Sequence, residues 1–160
     1  MKSIVILICV SSLMLLSGCN KSENPSSQIE ENLTPSQFES INDFEGVSMN
    51  VVDDSASSTG LTVLFENDSD KSCIYGSYYL LEKKISDKWY EVPVVFEGDY
   101  GFDDVGFPLE PSQTSEWTVE WEWLYGILDT GDYRIVKDIL DFRGTGDFDT
   151  YYLAAEFSVE

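Results

Sequence analysis

From Gly46 onward the chain alternates apolar and polar positions with a period of two. Val47, Met49 and Val51 alternate with Ser48 and Asn50, and Leu61, Val63 and Phe65 alternate with Thr62, Leu64 and Glu66. Side chains point to opposite faces at successive strand positions, so each run predicts a strand with one face buried. Tyr78–Lys84 predicts a third, with Tyr79 and Leu81 set against Leu80 and Glu82. Ser86-Asp87-Lys88 is a tight turn into Trp89-Tyr90-Glu91-Val92, so these two runs predict a hairpin. Pro93 cannot donate to a ladder and marks that strand as an edge. Trp117, Val119, Trp121 and Trp123 fall on one face of a run whose other face carries Thr118, Glu120 and Glu122. This predicts a strand with its Trp face in the core and one wet face; the alternative is an outward Trp face that, with Tyr125, makes a sugar-stacking or protein-binding strip. Tyr133–Lys137 and Tyr151–Val159 complete the set, the last with Leu153, Ala155, Phe157 and Val159 inward.

Seven strands and no convincing helix predict an all-β chain, an immunoglobulin-like antiparallel β-sandwich over residues 46–160. A closed barrel has the same strand patterning and is the alternative architecture. Asp129-Thr130-Gly131 is a turn, and Tyr133 opens the strand behind it. A Tyr so placed is the sign of a tyrosine corner, in which the phenol ties the turn to the strand. Ile135, two residues on, stands where an antibody domain has its second bridging Cys. Phe96–Pro111 and Asp138–Thr150 read as long polar loops.

The chain before Gly46 has a different character. Lys2 is followed by an apolar run, Ile4–Leu16, shorter than the roughly 20 residues of a membrane span. Leu16-Ser17-Gly18-Cys19 then resembles a bacterial lipobox. That resemblance implies a signal peptide over residues 1–18, diacylglycerol transfer to Cys19 and cleavage before it. The mature chain is then expected outside the cytoplasm, held at the outer face of the cell membrane by lipid, each buried CH₂ contributing about 0.8 kcal/mol. Residues 19–45 are rich in Ser, Asn, Glu and Pro and read as a flexible linker, with Thr34-Pro35-Ser36-Gln37-Phe38-Glu39 as a candidate capped helix. About 26 such residues give a root-mean-square span of roughly 28 Å.

Charge and missing residue types narrow the chemistry. The chain carries 30 acidic and 9 basic residues, for a net charge of −21, with no His. Loss of Lys2 with the signal takes the mature chain to about −22, which repels nucleic acid and anionic membranes. The absence of His removes the commonest general base and transition-metal ligand. No phosphate loop and no nucleophile elbow is present, and carboxylate pairs in so acidic a chain carry no information, so no enzyme is expected. Cys73 stands alone once Cys9 leaves and Cys19 is acylated, which leaves no partner for an intrachain disulfide.

Two features of the 96–111 loop are candidate sites. Asp99, Asp103 and Asp104 place hard oxygen ligands on a loop, as calcium prefers, and Asp129 with Asp132 and Asp147 with Asp149 do so less densely. Tyr100, Phe102 and Phe107 make the same loop a candidate recognition tip, since binding residues gather on loops held by a rigid scaffold. No cofactor other than calcium is expected. The basic residues Lys83, Lys84, Lys88, Arg134 and Lys137 are expected to pair across strands with the Glu row.

Several phrases are shared with a known family. They are Gly46-Val47-Ser48-Met49, Gly60–Val63 with Glu66-Asn67, Tyr79–Lys84, Lys88–Pro93, Tyr125–Leu128, Gly131–Lys137 and Ala155-Glu156-Phe157. In these the chain resembles the bacterial immunoglobulin-like domain lipoproteins of low-GC Gram-positive bacteria, over residues 46–159. The resemblance implies a β-sandwich in an extracytoplasmic place, and it brings no catalytic residues. The function expected is that of a non-catalytic interaction or accessory module at the cell envelope, with a protein or cell-wall partner. A binding module for calcium or a wall glycan is the alternative.

Overall fold

A computed structural model describes residues 33–160. Cys19, the signal peptide and the first part of the linker lie outside the described residues. Nine strands and one helical turn follow each other among the described residues: β1 (Val47–Val51), β2 (Gly60–Asn67), β3 (Cys73–Tyr75), β4 (Leu80–Ile85), β5 (Lys88–Glu91), β6 (Phe107–Leu109), β7 (Gln113–Glu120), α1 (Glu122–Tyr125), β8 (Gly131–Gly144) and β9 (Asp147–Val159). Two antiparallel sheets face each other as a sandwich. One has the order β1-β2-β7, and the other has β5-β4-β8-β3-β6 with β9 also on β8. All strand pairs are antiparallel.

Period two fixes which side chains meet. In the first sheet Val47, Met49, Leu61, Val63, Phe65 and Val119 are buried between the sheets, as expected. β2 starts at Gly60 because β7 passes too close for a side chain: a Cβ there would stand 2.5 Å from the Val119 carbonyl oxygen. In the second sheet Leu81, Tyr133, Ile135, Ile139, Leu153, Ala155 and Phe157 face inward. Phe65 and Tyr75 stack at 4.3 Å between the layers, and Tyr133 stacks at 5.7 Å on its cross-strand partner Phe157 within the second sheet. The β4–β5 hairpin turns on Ser86 and Asp87, both at positive φ (49° and 64°), the mirror-image turn whose twist suits antiparallel strands.

Four expectations need correction. The segment Asp138–Thr150 is not a loop: β8 and β9 run on as one hairpin and turn only at Thr145-Gly146. Its polar residues form ion pairs, with Asp141 held by Lys71 at 2.8 Å and by Arg143 at 3.3 Å, while Arg143 also reaches Asp147 and Asp149. Strand content is higher than expected because β3 and β6 are separate short strands. β3 and β4 pair with successive parts of β8, Asp141–Ile139 and Val136–Tyr133, on the flank opposite β9. The Trp run breaks after Glu120, where the backbone folds into α1. Trp121 is fully buried and its indole N–H donates to the Ser58 carbonyl at 3.0 Å, whereas Trp123 is 47% exposed and points away from the core.

The fourth correction concerns the linker. Residues 33–45 form no helix and are not a free tether; they cross the outer face of the second sheet as a strap. At one end the strap pairs with β5: Ser36 N–H donates to Trp89 O at 2.9 Å, and Glu91 N–H to Thr34 O at 2.8 Å. At the other end it closes the free edge of β9. Asn42 N–H donates to Tyr152 O, Ala154 N–H donates to the Asn42 side-chain oxygen at 2.8 Å, and the Asn42 amide donates to Ala154 O at 3.1 Å. Phe38 packs on Tyr152, and Phe44 stacks on Tyr151 and joins the core.

Beneath the strap lies a polar row that a solvent-facing sheet would leave wet. Cross-strand partners Glu82 and Arg134 form an ion pair of 2.5 Å between a fully buried carboxylate and a largely buried guanidinium. Arg134 also donates to the Ser36 hydroxyl at 3.2 Å and stacks 4.5 Å over the Trp89 ring.

Candidate functional site: an aromatic and acidic end of the sandwich

Residues 92–106 form no strand, yet they are pinned at several points. Val92 and Val94 pack on the core, Val95 N–H donates to Leu124 O at 2.9 Å, and the Ser77 hydroxyl donates to Asp103 O at 2.6 Å. The pins bring the loop against α1, whose Leu124 and Tyr125 are buried and whose Trp123 is not. Phe96, Tyr100, Phe102 and Trp123 consequently meet edge to face, at centroid distances of 6.0 to 6.4 Å. Phe102 also contacts Tyr78 and Tyr79, each at 5.3 Å.

This cluster is open to solvent: Phe96 is 42% exposed, Tyr100 48% and Trp123 47%. Rings that could have folded inward are instead held outward by a loop fixed to the framework. Ile127, Val95 and Val105 extend the apolar surface. A shallow open cleft of about 560 Å³, lined by Thr59, Glu120, Glu122 and Trp123, lies on one side. A narrower cleft of about 260 Å³ lies on the other, between Tyr78, Tyr79, Glu91, Tyr100, Phe102 and Tyr125. From Trp89 to Tyr133 the chain has no Lys or Arg, while Glu91, Glu97, Asp99, Asp103, Asp104, Glu120 and Glu122 all belong to this stretch.

The residues singled out in the sequence fall as follows. Tyr100 and Phe102 are in the cluster; Phe107 is apart from it, in β6, packed on Tyr75 at 5.4 Å. Asp99, Asp103 and Asp104 sit on the loop, but no group of three or more acidic or Cys side chains among the described residues is arranged to hold a metal ion. The Tyr133 hydroxyl donates to Asp129 O at 2.8 Å, closing the turn ahead of β8. Cys73 is buried, and burial pushes its thiol up to about 11, with Asp141 adding to the effect, so at neutral pH it is protonated and inert. The basic residues do not form one surface: Lys83 stacks on Tyr133 and Lys84 on Trp89, while Arg134 and Lys137 are buried.

Trp123 was expected in the core together with Trp117 and Trp121, and Phe96, Tyr78 and Tyr79 were not singled out as site residues. Phe96 and Trp123 belong beside Tyr100 because α1 turns the chain after Glu120, and the only sign of this turn is that Leu124-Tyr125 breaks the alternation.

The site holds aromatic rings and carboxylates. A bacterial Ig-like domain model matches residues 43–158, the whole sandwich. The chain belongs to the bacterial Ig-like domain family. No curated protein matches it. The family is generally non-catalytic, in keeping with a site of this composition. In this Ig-like domain the matched span starts inside the strap, at Asp43.

Proposed function

We propose that the chain is a lipoprotein of the low-GC Gram-positive type, anchored through Cys19 at the outer face of the cell membrane. Its Ig-like domain serves there as a non-catalytic interaction module, and the partner docks on the aromatic and acidic end. The observation that carries this reading is the cluster in which the exposed rings of Phe96, Tyr100 and Trp123 gather around the half-buried Phe102, in a stretch without a basic residue. Exposed aromatic residues set among polar ones are the composition of interface centres.

The lipobox reading sets a reach. From Cys19 to Leu33 the fully extended chain spans at most about 50 Å. Leu33 leads directly into Thr34, which lines the narrower cleft. The partner therefore works close to the bilayer, as a membrane-associated protein or the inner layer of the wall.

Cross-linking and pull-down on intact cells tests the proposal, with residues 1–32 fused to an inert domain as control. One protein or wall component is expected to be enriched by the full chain and lost from a Phe96→Ala, Trp123→Ala double variant. Equal enrichment by the control, or capture unaffected by the double variant, sinks the docking surface. Release of the chain by a Cys19→Ala change is the expected sign of the anchor.

A further inference from the structure

The narrower cleft has features that an exposed contact patch does not need. Its lining holds five aromatic rings, from Tyr78, Tyr79, Tyr100, Phe102 and Tyr125. Its rim carries Glu91, which forms no ion pair among the described residues. Desolvation by burial raises the Glu91 pKa, and the neighbouring Glu82 adds to the shift. Arg134, on the same cross-strand row, is already committed to Glu82. Tyr79 contributes to the cleft lining, while its hydroxyl is buried away from solvent and has no hydrogen-bond partner among the described residues.

We infer that this cleft binds an organic ammonium group. The inference rests on the reading that this end of the sandwich is the contact surface, and it names the chemistry recognised there. Ring faces carry negative quadrupole charge and attract a desolvated cation by about 2 kcal/mol or more. Glu91 supplies the counter-charge. Anions are excluded by the same carboxylate. A volume of about 260 Å³ is below the usual range of about 300–1,000 Å³ for drug-sized ligands, which suits one alkylammonium chain and not an oligosaccharide. The cation comes either from a lysine side chain of a docked protein or from a small free amine.

Proton NMR on the full chain in a neutral maltoside detergent separates these cases. The probes are Nα-acetyl-lysine methylamide, n-butylammonium and, as neutral isostere, Nα-acetyl-norleucine methylamide. Upfield ring-current shifts of the methylenes next to nitrogen, with millimolar affinity, are expected for the cations and not for the isostere. Glu91→Gln, on a half-exposed strand position, should weaken binding about tenfold, and Tyr100→Ala should abolish the ring-current shift. Stronger binding of the lysine derivative assigns the site to a protein partner; stronger binding of butylammonium assigns it to a free amine. No shift with either cation, or equal binding of the isostere, overturns the inference, and the isostere comparison needs no variant to fold. Partner capture that is lost in the Phe96→Ala, Trp123→Ala variant but unaccompanied by cation binding would leave the docking surface standing and remove the ammonium site. Cation binding without any captured partner would do the reverse, removing the macromolecular partner and leaving the free amine.

Discussion

Lys137 is a charged residue at the centre of an apolar fold, and local geometry accounts for it. β3 and β4 leave a gap opposite β8 where Gly76–Tyr79 depart from the ladder, and the Lys137 ammonium reaches into that gap to donate to the carbonyls of Gly76 and Tyr78. It stands 4.2 Å from the Trp117 ring centroid, and no carboxylate forms an ion pair with it among the described residues. Burial lowers its pKa to about 8 from the ordinary 10.5, with Asp138 opposing weakly. The depressed pKa belongs to a base, so below pH 8 both states are protonated and the folded state bears the full cost of burying the charge. Between pH 8 and 10.5 the unfolded chain binds more protons than the folded one, so this contribution to stability rises with pH. From pH 7.5 to 10 the gain is about 2 kcal/mol. The Cys73 thiol, raised to about 11, works in the opposite direction above its ordinary 9.0. Urea melts of wild type and Lys137→Met at the two pH values isolate the lysine: the difference between the proteins should shrink or reverse toward wild type as pH rises. A difference that does not change with pH would mean that the amine is not desolvated.

At the level of elements, the strap is the least expected part of the molecule. The strands with one buried face were legible from alternation alone, because half-burial prints itself on the sequence at every second residue; β1, β2, the first part of β7 and the second half of β9 are of this kind. The strap has no such print. It buries Phe38, Ile41 and Phe44 at three-residue spacing in an extended chain, and its hold on the sheet is through backbone groups of β5 and β9 that any sequence would offer. The far parts of β8 and β9 were hidden for the opposite reason: their charges are matched across strands, so a solvated ladder reads as a loop. At the candidate site Tyr100 and Phe102 were legible as aromatic residues in an acidic loop, while Trp123 was assigned to the wrong face because one helical turn reverses its side. The strap makes a direct prediction. Asn42, at a positive φ of 59° that Asn tolerates, holds Ala154 by two side-chain hydrogen bonds. Asn42→Ala should cost about 1–2 kcal/mol. In hydrogen exchange the Ala154 amide should lose protection while β9 amides that face β8 keep theirs. Loss of protection along all of β9 would mean that the strap holds the hairpin as a whole.

At the scale of the whole molecule, charge separates the two ways a partner can approach. The domain is strongly acidic, and 89–133, which builds the aromatic end, is, like 22–70 and 144–160, a stretch where no base interrupts the acid. Fields of one sign gather oppositely charged partners and raise association rates, and salt removes the effect as the Debye length falls from about 10 Å at 0.1 M to about 3 Å at 1 M. A cationic partner guided to this end should therefore be captured more slowly as salt rises, with the dissociation rate changing much less, since ring contacts and a desolvated ammonium are short-ranged. Surface plasmon resonance of the captured partner over immobilised full chain, from 50 mM to 1 M NaCl, reads both rates. The association rate should fall by an order of magnitude or more, and Glu120→Gln with Glu122→Gln should reproduce part of that fall at low salt, because these two carboxylates line the cleft beside Trp123. A partner held by aromatic stacking on a neutral wall glycan would show a flat salt response and no effect of the two Gln substitutions. That outcome would leave Phe96, Tyr100 and Trp123 as a sugar platform and the acidic stretch as a means of keeping the anchored domain soluble.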